Sequence, residues 1–198
     1  KLLILALPRG GVPVAFEVAK ELKAPLDVYL VRKLGVPGHE ELALGAISSN
    51  GDIVLNKDIV DMLRISPEMI KDIARREFSE LRRRESTYRH NKPPLEIQGK
   101  TILLIDDGLA TGSSMTAAIS TLYDQKPAHF IVAVPVAPAS ASEMFKNYTN
   151  EVIFLFTPEP FHGVGQWYSD FSQTSDNEVL ELLQKAEKWS DKDRMARF

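Results

Sequence analysis

The sequence predicts an α/β fold: an open, mainly parallel, twisted sheet with helices on both faces. Three observations carry this expectation. Aliphatic runs recur at 2–7, 27–31, 101–105, 129–134 and 151–156, and strands buried on both faces read as continuous apolar runs rather than as alternation. Between several of them, residues 12–22, 114–124 and 138–147 carry apolar side chains at helical spacing. Strands alternating with helices of about ten residues are the pattern of βαβ units.

Taken in order, the first run follows Lys1 and is too short for a signal-peptide core. Pro8-Arg9-Gly10-Gly11 stands where a small-residue cleavage site would fall, so the run reads as a buried strand. A strand at the first residues leaves room for an upstream helix. Residues 44–55 read as a hairpin turning at Asn50-Gly51. A long polar helix is expected over 67–88, with Ser66 as N-cap and Pro67 as its first residue. Lys92-Pro93-Pro94 ends it in an exposed connector, and 176–190 is amphipathic enough to dock as a closing helix. The 198 residues read as one domain. Its core covers about 1–57 and 97–156, with an inserted helical segment at about 58–96 and a small hood and C-terminal helix at about 157–198.

Composition excludes several classes. A net charge of -3 speaks against a nucleic-acid partner. With no cysteine there are no disulfides, thiolate zinc sites or cysteine nucleophiles, which suits a cytoplasmic protein. No apolar stretch approaches the roughly 18–20 residues needed to span a bilayer. His39-Glu40-Glu41 lacks a second histidine at position 43, and no dinucleotide or Walker glycine loop occurs. His90 and His129 read as surface or packing residues.

Ligands of open parallel sheets sit at the carboxyl ends of the strands. That rule puts Pro8-Arg9-Gly10-Gly11, Arg32-Lys33 and Asp106-Asp107 on one rim. The run at 102–105 leads into Asp106-Asp107-Gly108-Leu109-Ala110-Thr111-Gly112-Ser113-Ser114 and then an amphipathic segment. Strand, loop and helix N-terminus form an anion site, because free N–H groups and the helix dipole converge there. Two carboxylates beside an anion cradle suit a ligand with both a phosphate and a vicinal diol. A sugar phosphate has both. In the first loop, two glycines let N–H groups approach a ligand closely, and Arg9 is a permanent forked donor for phosphate oxygens.

Residues 102–114 resemble the phosphoribosyl-pyrophosphate motif of the type I phosphoribosyltransferases: four aliphatic residues, an acidic pair, two spacers, then a small-Thr-Gly-x-Ser/Thr loop. The resemblance implies that Asp106 and Asp107 hold the ribose hydroxyls, and that Ala110, Thr111, Gly112, Ser113 and Ser114 hold the 5′-phosphate. It assigns Arg9, Gly10, Gly11 and Lys33 to the pyrophosphate. The implied reaction is Mg2+-dependent transfer of a 5-phosphoribosyl group to a small-molecule acceptor, usually a nitrogen of a base in nucleotide metabolism. Pyrophosphate leaves, and Mg2+ is held mainly by the donor with no direct protein ligand. The family's hood sandwiches the acceptor, so Phe161, Trp167 and Tyr168 are candidates to stack on its ring. Relatives that use 6-oxopurines commonly carry aspartate where this chain has Ala110, and many have an aliphatic residue in place of Gly108, which is expected to loosen the loop. The family's flexible loop falls where the long helix is expected, so 86–89 could donate to the pyrophosphate on closure; the plainer expectation is a solvated face with pairs such as Glu80 and Arg84. A homodimer is compatible with the resemblance. The alternative is a non-catalytic regulator that binds the same donor, against which the retained pyrophosphate loop speaks.

Overall fold

The computed structural model describes residues 1–90 and 92–195, apart from the side chains of 40, 41 and 189–195. The chain opens with β1 (Leu2–Ala6), α1 (Gly11–Leu22), β2 (Leu26–Val28), β3 (Val31–Val36), β4 (His39–Ser48) and β5 (Ile53–Leu55). A short α2 (Lys57–Met62) and the long α3 (Pro67–Arg89) precede β6 (Thr101–Ile105), α4 (Ser113–Tyr123) and β7 (His129–Val136). Then come α5 (Ala141–Phe145), β8 (Glu151–Phe156), a 3-10 turn at Val164–Trp167 and α6 (Asp176–Met195).

The aliphatic runs form one parallel sheet in the order β2-β1-β6-β7-β8. Successive side chains point to opposite layers, which is why the runs carry no polar alternation. Ile4, Ala6, Leu103 and Ile105 pack with Val12, Ala15 and Ala19 of α1 and Val179 and Leu183 of α6. Leu5, Ile102, Leu104, Val132 and Val134 pack on the other face with Met115, Ala118, Ile119 and Leu122 of α4. Burying each leucine or isoleucine contributes about 1.5–3 kcal/mol, so the two-sided strand β6 anchors both layers. Among the described residues, no helix is long and apolar enough to cross a membrane.

Three local expectations change. The run at 27–31 does not stay in one strand: β2 stops at Val28, and β3 begins at Val31 in a separate antiparallel sheet, β3-β4-β5. The buried Tyr29 hydroxyl donates to Thr121 Oγ1 at 2.9 Å, and Leu30 O accepts from Ser49 N at 3.0 Å. Both bonds draw the chain out of the parallel sheet, yet an unbroken apolar run looks the same on either path. The hairpin turns near Gly51, at φ +91, but its first strand begins at His39 and pairs mainly with β3. The helix expected over 138–147 shrinks to five residues. Ala141 N donates to Pro138 O in a turn before it, and Tyr148 and Thr149 both close onto Phe145 O after it.

α3 forms as its ends dictate: Ser66 accepts from Met69 N at 3.2 Å and Pro67 occupies the first turn. Its buried stripe is Ile73, Ala74, Leu81 and Tyr88, and the expected pair forms, with Arg84 Nε 3.0 Å from Glu80 Oε1. The mobile-donor reading of 86–89 is corrected at Arg89. That side chain is 3% exposed and locked by Asp27, Glu85 and the Pro93 carbonyl.

Candidate active site

β6 lies in register between its neighbours, with Ile105 opposite Ala6 on one side and Ala133 on the other. Asp106 and Asp107 therefore leave the sheet at its carboxyl edge, between the loops that follow β1 and β7. Leu109 N donates to Val136 O at 3.0 Å and fixes the far side of the loop. Gly112, at φ +71, turns the chain into α4, whose first turn has no side-chain cap. Thr111 Oγ1 and Ser113 Oγ lie 3.0 Å apart, and Ser113 N donates to Thr111 Oγ1 at 3.4 Å. Hydroxyls and helix N–H groups thus crowd one concavity, the chemistry that oxyanions use. This cavity of about 350 Å³ is lined by residues 106–115 together with Val164, Gly165 and Phe171.

The first loop presses against the acid pair. Leu7 N donates to Ile105 O at 2.9 Å, Gly11 N donates to Leu7 O at 3.1 Å, and the Pro8-Arg9 peptide is cis. Gly10 has ordinary helical angles, φ -60 and ψ -33, so proximity rather than backbone freedom demands glycine here. A Cβ at Gly10 would lie 1.9 Å from Asp107 Oδ2, and one at Gly11 would lie 2.8 Å from Ile105 O and 2.9 Å from Asp106 Cα. The two substitutions should therefore differ. Gly10→Ala meets a movable carboxylate and should swing Asp107 aside, weakening sugar-phosphate binding by about 1.5–3 kcal/mol, the worth of one charged hydrogen bond. Gly11→Ala meets backbone and should lower stability. Thermal melts beside ligand titrations check both; intact affinity in Gly10→Ala would disprove the contact.

Burial and the adjacent Asp107 push the Asp106 carboxyl up to about 8, and burial also raises Asp107. Asp106 Oδ1 accepts from Asp107 N at 2.9 Å. The pair therefore keeps a proton near neutrality, because two desolvated carboxylates this close do not both ionise. Tyr168 closes over them, its hydroxyl donating to Asp107 O at 2.6 Å. Burial, then the two acids, raises that phenol to about 12, so it remains a donor.

The structure brings Arg9-Gly10-Gly11, Asp106-Asp107 and 110–114 to one edge. Arg9 Nη1 lies 3.5 Å from Asp176 Oδ1, which also accepts from the Tyr88 hydroxyl at 2.5 Å. Lys33 lies within β3 rather than at the end of a parallel strand, and it lines a neighbouring cavity with Pro8 and Ser114. Among the hood candidates, Tyr168 caps the acid loop, Phe161 is half-buried, and Trp167 is 48% exposed outside the cavity lining. Phe171, which no motif singled out, does line it and packs 5.2 Å from the Tyr168 ring. Gly108 has a clear role: a Cβ there would lie 2.6 Å from Val164 Cγ1, so its absence lets the hood settle on the loop instead of loosening it. Among the described residues, no group of three or more His, Asp or Glu side chains could hold a metal ion.

An acid pair, an oxyanion cradle and a glycine loop on one sheet edge define an α/β domain suited to a sugar phosphate. The chain belongs to the phosphoribosyl transferase domain family, whose model matches residues 1–160. It is 44% identical over 183 residues to the Mycobacterium tuberculosis proteins MT0597 and Rv0571c, both named as phosphoribosyl transferases. The match covers 92% of this chain and 41% of theirs, so the chain spans about two fifths of their length. The crystal structure of TT1426 from Thermus thermophilus superposes with a TM-score of 0.83 at 41% identity, covering 92% of this chain and 86% of that one.

Proposed function

We propose that this chain transfers a 5-phosphoribosyl group from phosphoribosyl pyrophosphate to a nitrogen of a small acceptor, releasing pyrophosphate. The observation that carries the reading is the contact between Gly10 and Asp107, which joins a leaving-group loop to a ribose site. Asp106 and Asp107 accept from the ribose hydroxyls and set negative charge beside a ring that becomes cationic as the C1–O bond breaks. Hydroxyls and N–H groups at 111–114 hold the 5′-phosphate. Arg9, the N–H groups of Gly10 and Gly11, and Lys33 receive the charge that develops on the leaving group. Two carboxylates are too few to cage a metal, yet they fit as counter-charge to an Mg2+ that arrives on the donor. When bound, Mg2+ supplies Lewis-acid stabilisation of the leaving oxygens.

The acceptor reading rests on Ala110 and the hood. Without a carboxylate at 110, the site lacks the group expected to act on a 6-oxopurine nitrogen, so hypoxanthine and guanine are poor acceptors. Phe161, Trp167, Tyr168 and the newly placed Phe171 offer aromatic faces for another planar ring. Titrating the donor with Mg2+ and screening bases for pyrophosphate release tests the whole reading; efficient turnover of hypoxanthine or guanine would overturn the acceptor claim. Arg9→Ala should weaken the diphosphorylated donor by about 1.5–3 kcal/mol and ribose 5-phosphate much less. Equal losses would remove Arg9 from the leaving-group site.

A further inference from the structure

Arg9 is held by a residue from outside the stretch that the family model matches. Its Nη1 lies 3.5 Å from Asp176 Oδ1, and the same oxygen accepts from the Tyr88 hydroxyl at 2.5 Å. Asp176 is the first residue of α6 and stands beyond the matched residues 1–160. An acid in the first turn of a helix ordinarily serves that helix. Here Ser175 does the capping, its Oγ accepting from Glu178 N at 3.2 Å. The Asp176 carboxylate instead crosses to α3 and the first loop.

Three fixed elements meet at that oxygen. Burial of Val179, Leu183 and Ala186 sets the place of α6, and Tyr88 belongs to the buried stripe of α3. Arg9 O accepts from Val12 N at 3.1 Å, which ties its backbone to α1. Burial first, then Asp176, raises the Tyr88 phenol to about 12, so it stays a donor. That donation, with Arg9 beside it, holds the Asp176 carboxyl below the usual carboxylate range. Asp176 takes only Nη1 of the guanidinium. The edge formed by Nε and Nη2 has no partner among the described residues, and such an edge is the fork that meets two phosphoryl oxygens at once. A long arginine side chain loses much rotamer freedom on binding, and an anchor at one nitrogen removes part of that loss beforehand. We propose that Asp176 is a positioning residue: by holding Nη1 it sets Arg9 with its forked edge ready for the leaving pyrophosphate, while Tyr88 keeps Asp176 in place.

The proposal deepens the transfer reading and rests on the role given there to Arg9. Phosphoribosyl pyrophosphate with Mg2+, and separately ribose 5-phosphate, are titrated calorimetrically into the full chain and its variants. Asp176→Asn keeps the size of a side chain that is 53% exposed, so the fold is not at stake. It should weaken the donor by about three- to tenfold, the scale of one net hydrogen bond, and leave ribose 5-phosphate within about twofold. Tyr88→Phe should act in the same direction and less. In the Arg9→Ala background Asp176→Asn should add no further loss, because the group it positions is gone. Equal losses for both ligands, a further loss in the Arg9→Ala background, or unchanged donor affinity would each overturn the proposal. Tighter donor binding would overturn it too, by showing that Asp176 holds Arg9 back. If Arg9→Ala itself fails to separate the two ligands, the reading of the leaving-group loop falls and the proposal with it. A selective loss in Arg9→Ala with none in Asp176→Asn removes the positioning role alone.

Discussion

Replacing Asp106 and Asp107 together with asparagine should cut donor affinity by about 3–6 kcal/mol, two charged hydrogen bonds at about 1.5–3 kcal/mol each, while the protein becomes more stable at neutral pH. The two effects share one cause. Burial and its neighbour hold the Asp106 carboxyl near 8 in the folded chain, against about 4 when unfolded. Between those values the unfolded state has released a proton that the folded state keeps. Stability therefore falls as pH rises from about 4 to about 8, and the penalty is constant above that and absent below about 4. An asparagine is shaped like the protonated acid and carries no such penalty. Urea unfolding across pH 4–9 should show the wild-type slope flatten in the variant. Ribose hydroxyls and a donor-borne cation favour the ionised pair, so donor binding should release a proton near pH 7, measurable as a buffer-dependent binding enthalpy. A variant that binds donor normally, or a wild type whose stability ignores pH in this window, would sink the assignment.

Arg89→Ala should destabilise the fold by about 3–5 kcal/mol, since removing one partner leaves a buried charge uncompensated. Arg89 Nε and Nη2 donate to the two Asp27 oxygens at 3.1 and 3.3 Å, Nη1 to Glu85 at 3.0 Å, and Nη2 also to Pro93 O at 2.8 Å. These bonds tie the end of α3 to β2 and to the connector beyond it. Arg89→Lys should recover only part of the loss, because an ammonium cannot bridge a fork of this width. Combining Asp27→Asn with Arg89→Met should cost less than the sum of the single changes, as coupled partners do. A loss below about 1 kcal/mol in Arg89→Ala would show that the network is not structural.

Legibility in the sequence tracked the range of the physics. The inner parallel strands were readable because burial on two faces demands an unbroken aliphatic run, and Ile102 to Ile105 supplies one, whereas β8 at the sheet edge carries an apolar run although Leu155 and Phe156 are exposed. Ser66-Pro67 announced the start of α3 because capping is settled within a few residues. The acid pair and its loop were visible for the same reason: strand end, carboxylates and helix start are contiguous. The break at Tyr29-Leu30 was not readable, since it depends on Thr121 and Ser49, far away in the chain. Phe171 and Asp176 carried no local signal and joined the site only by folding back over it.

The sequence by itself determined the main parallel sheet, the alternation of most of its strands with helices, and the composition of the loops at its edge, all consequences of hydrophobic period and short-range backbone chemistry. Only the tertiary structure decided which of those groups meet. It set Gly10 against Asp107, gave Gly108 a purpose in Val164, turned Arg89 inward to Asp27 and brought Arg9 and Tyr88 together on Asp176. Contacts of this kind depend on distances of a few ångströms between segments separated by tens of residues, and local propensities carry no record of them.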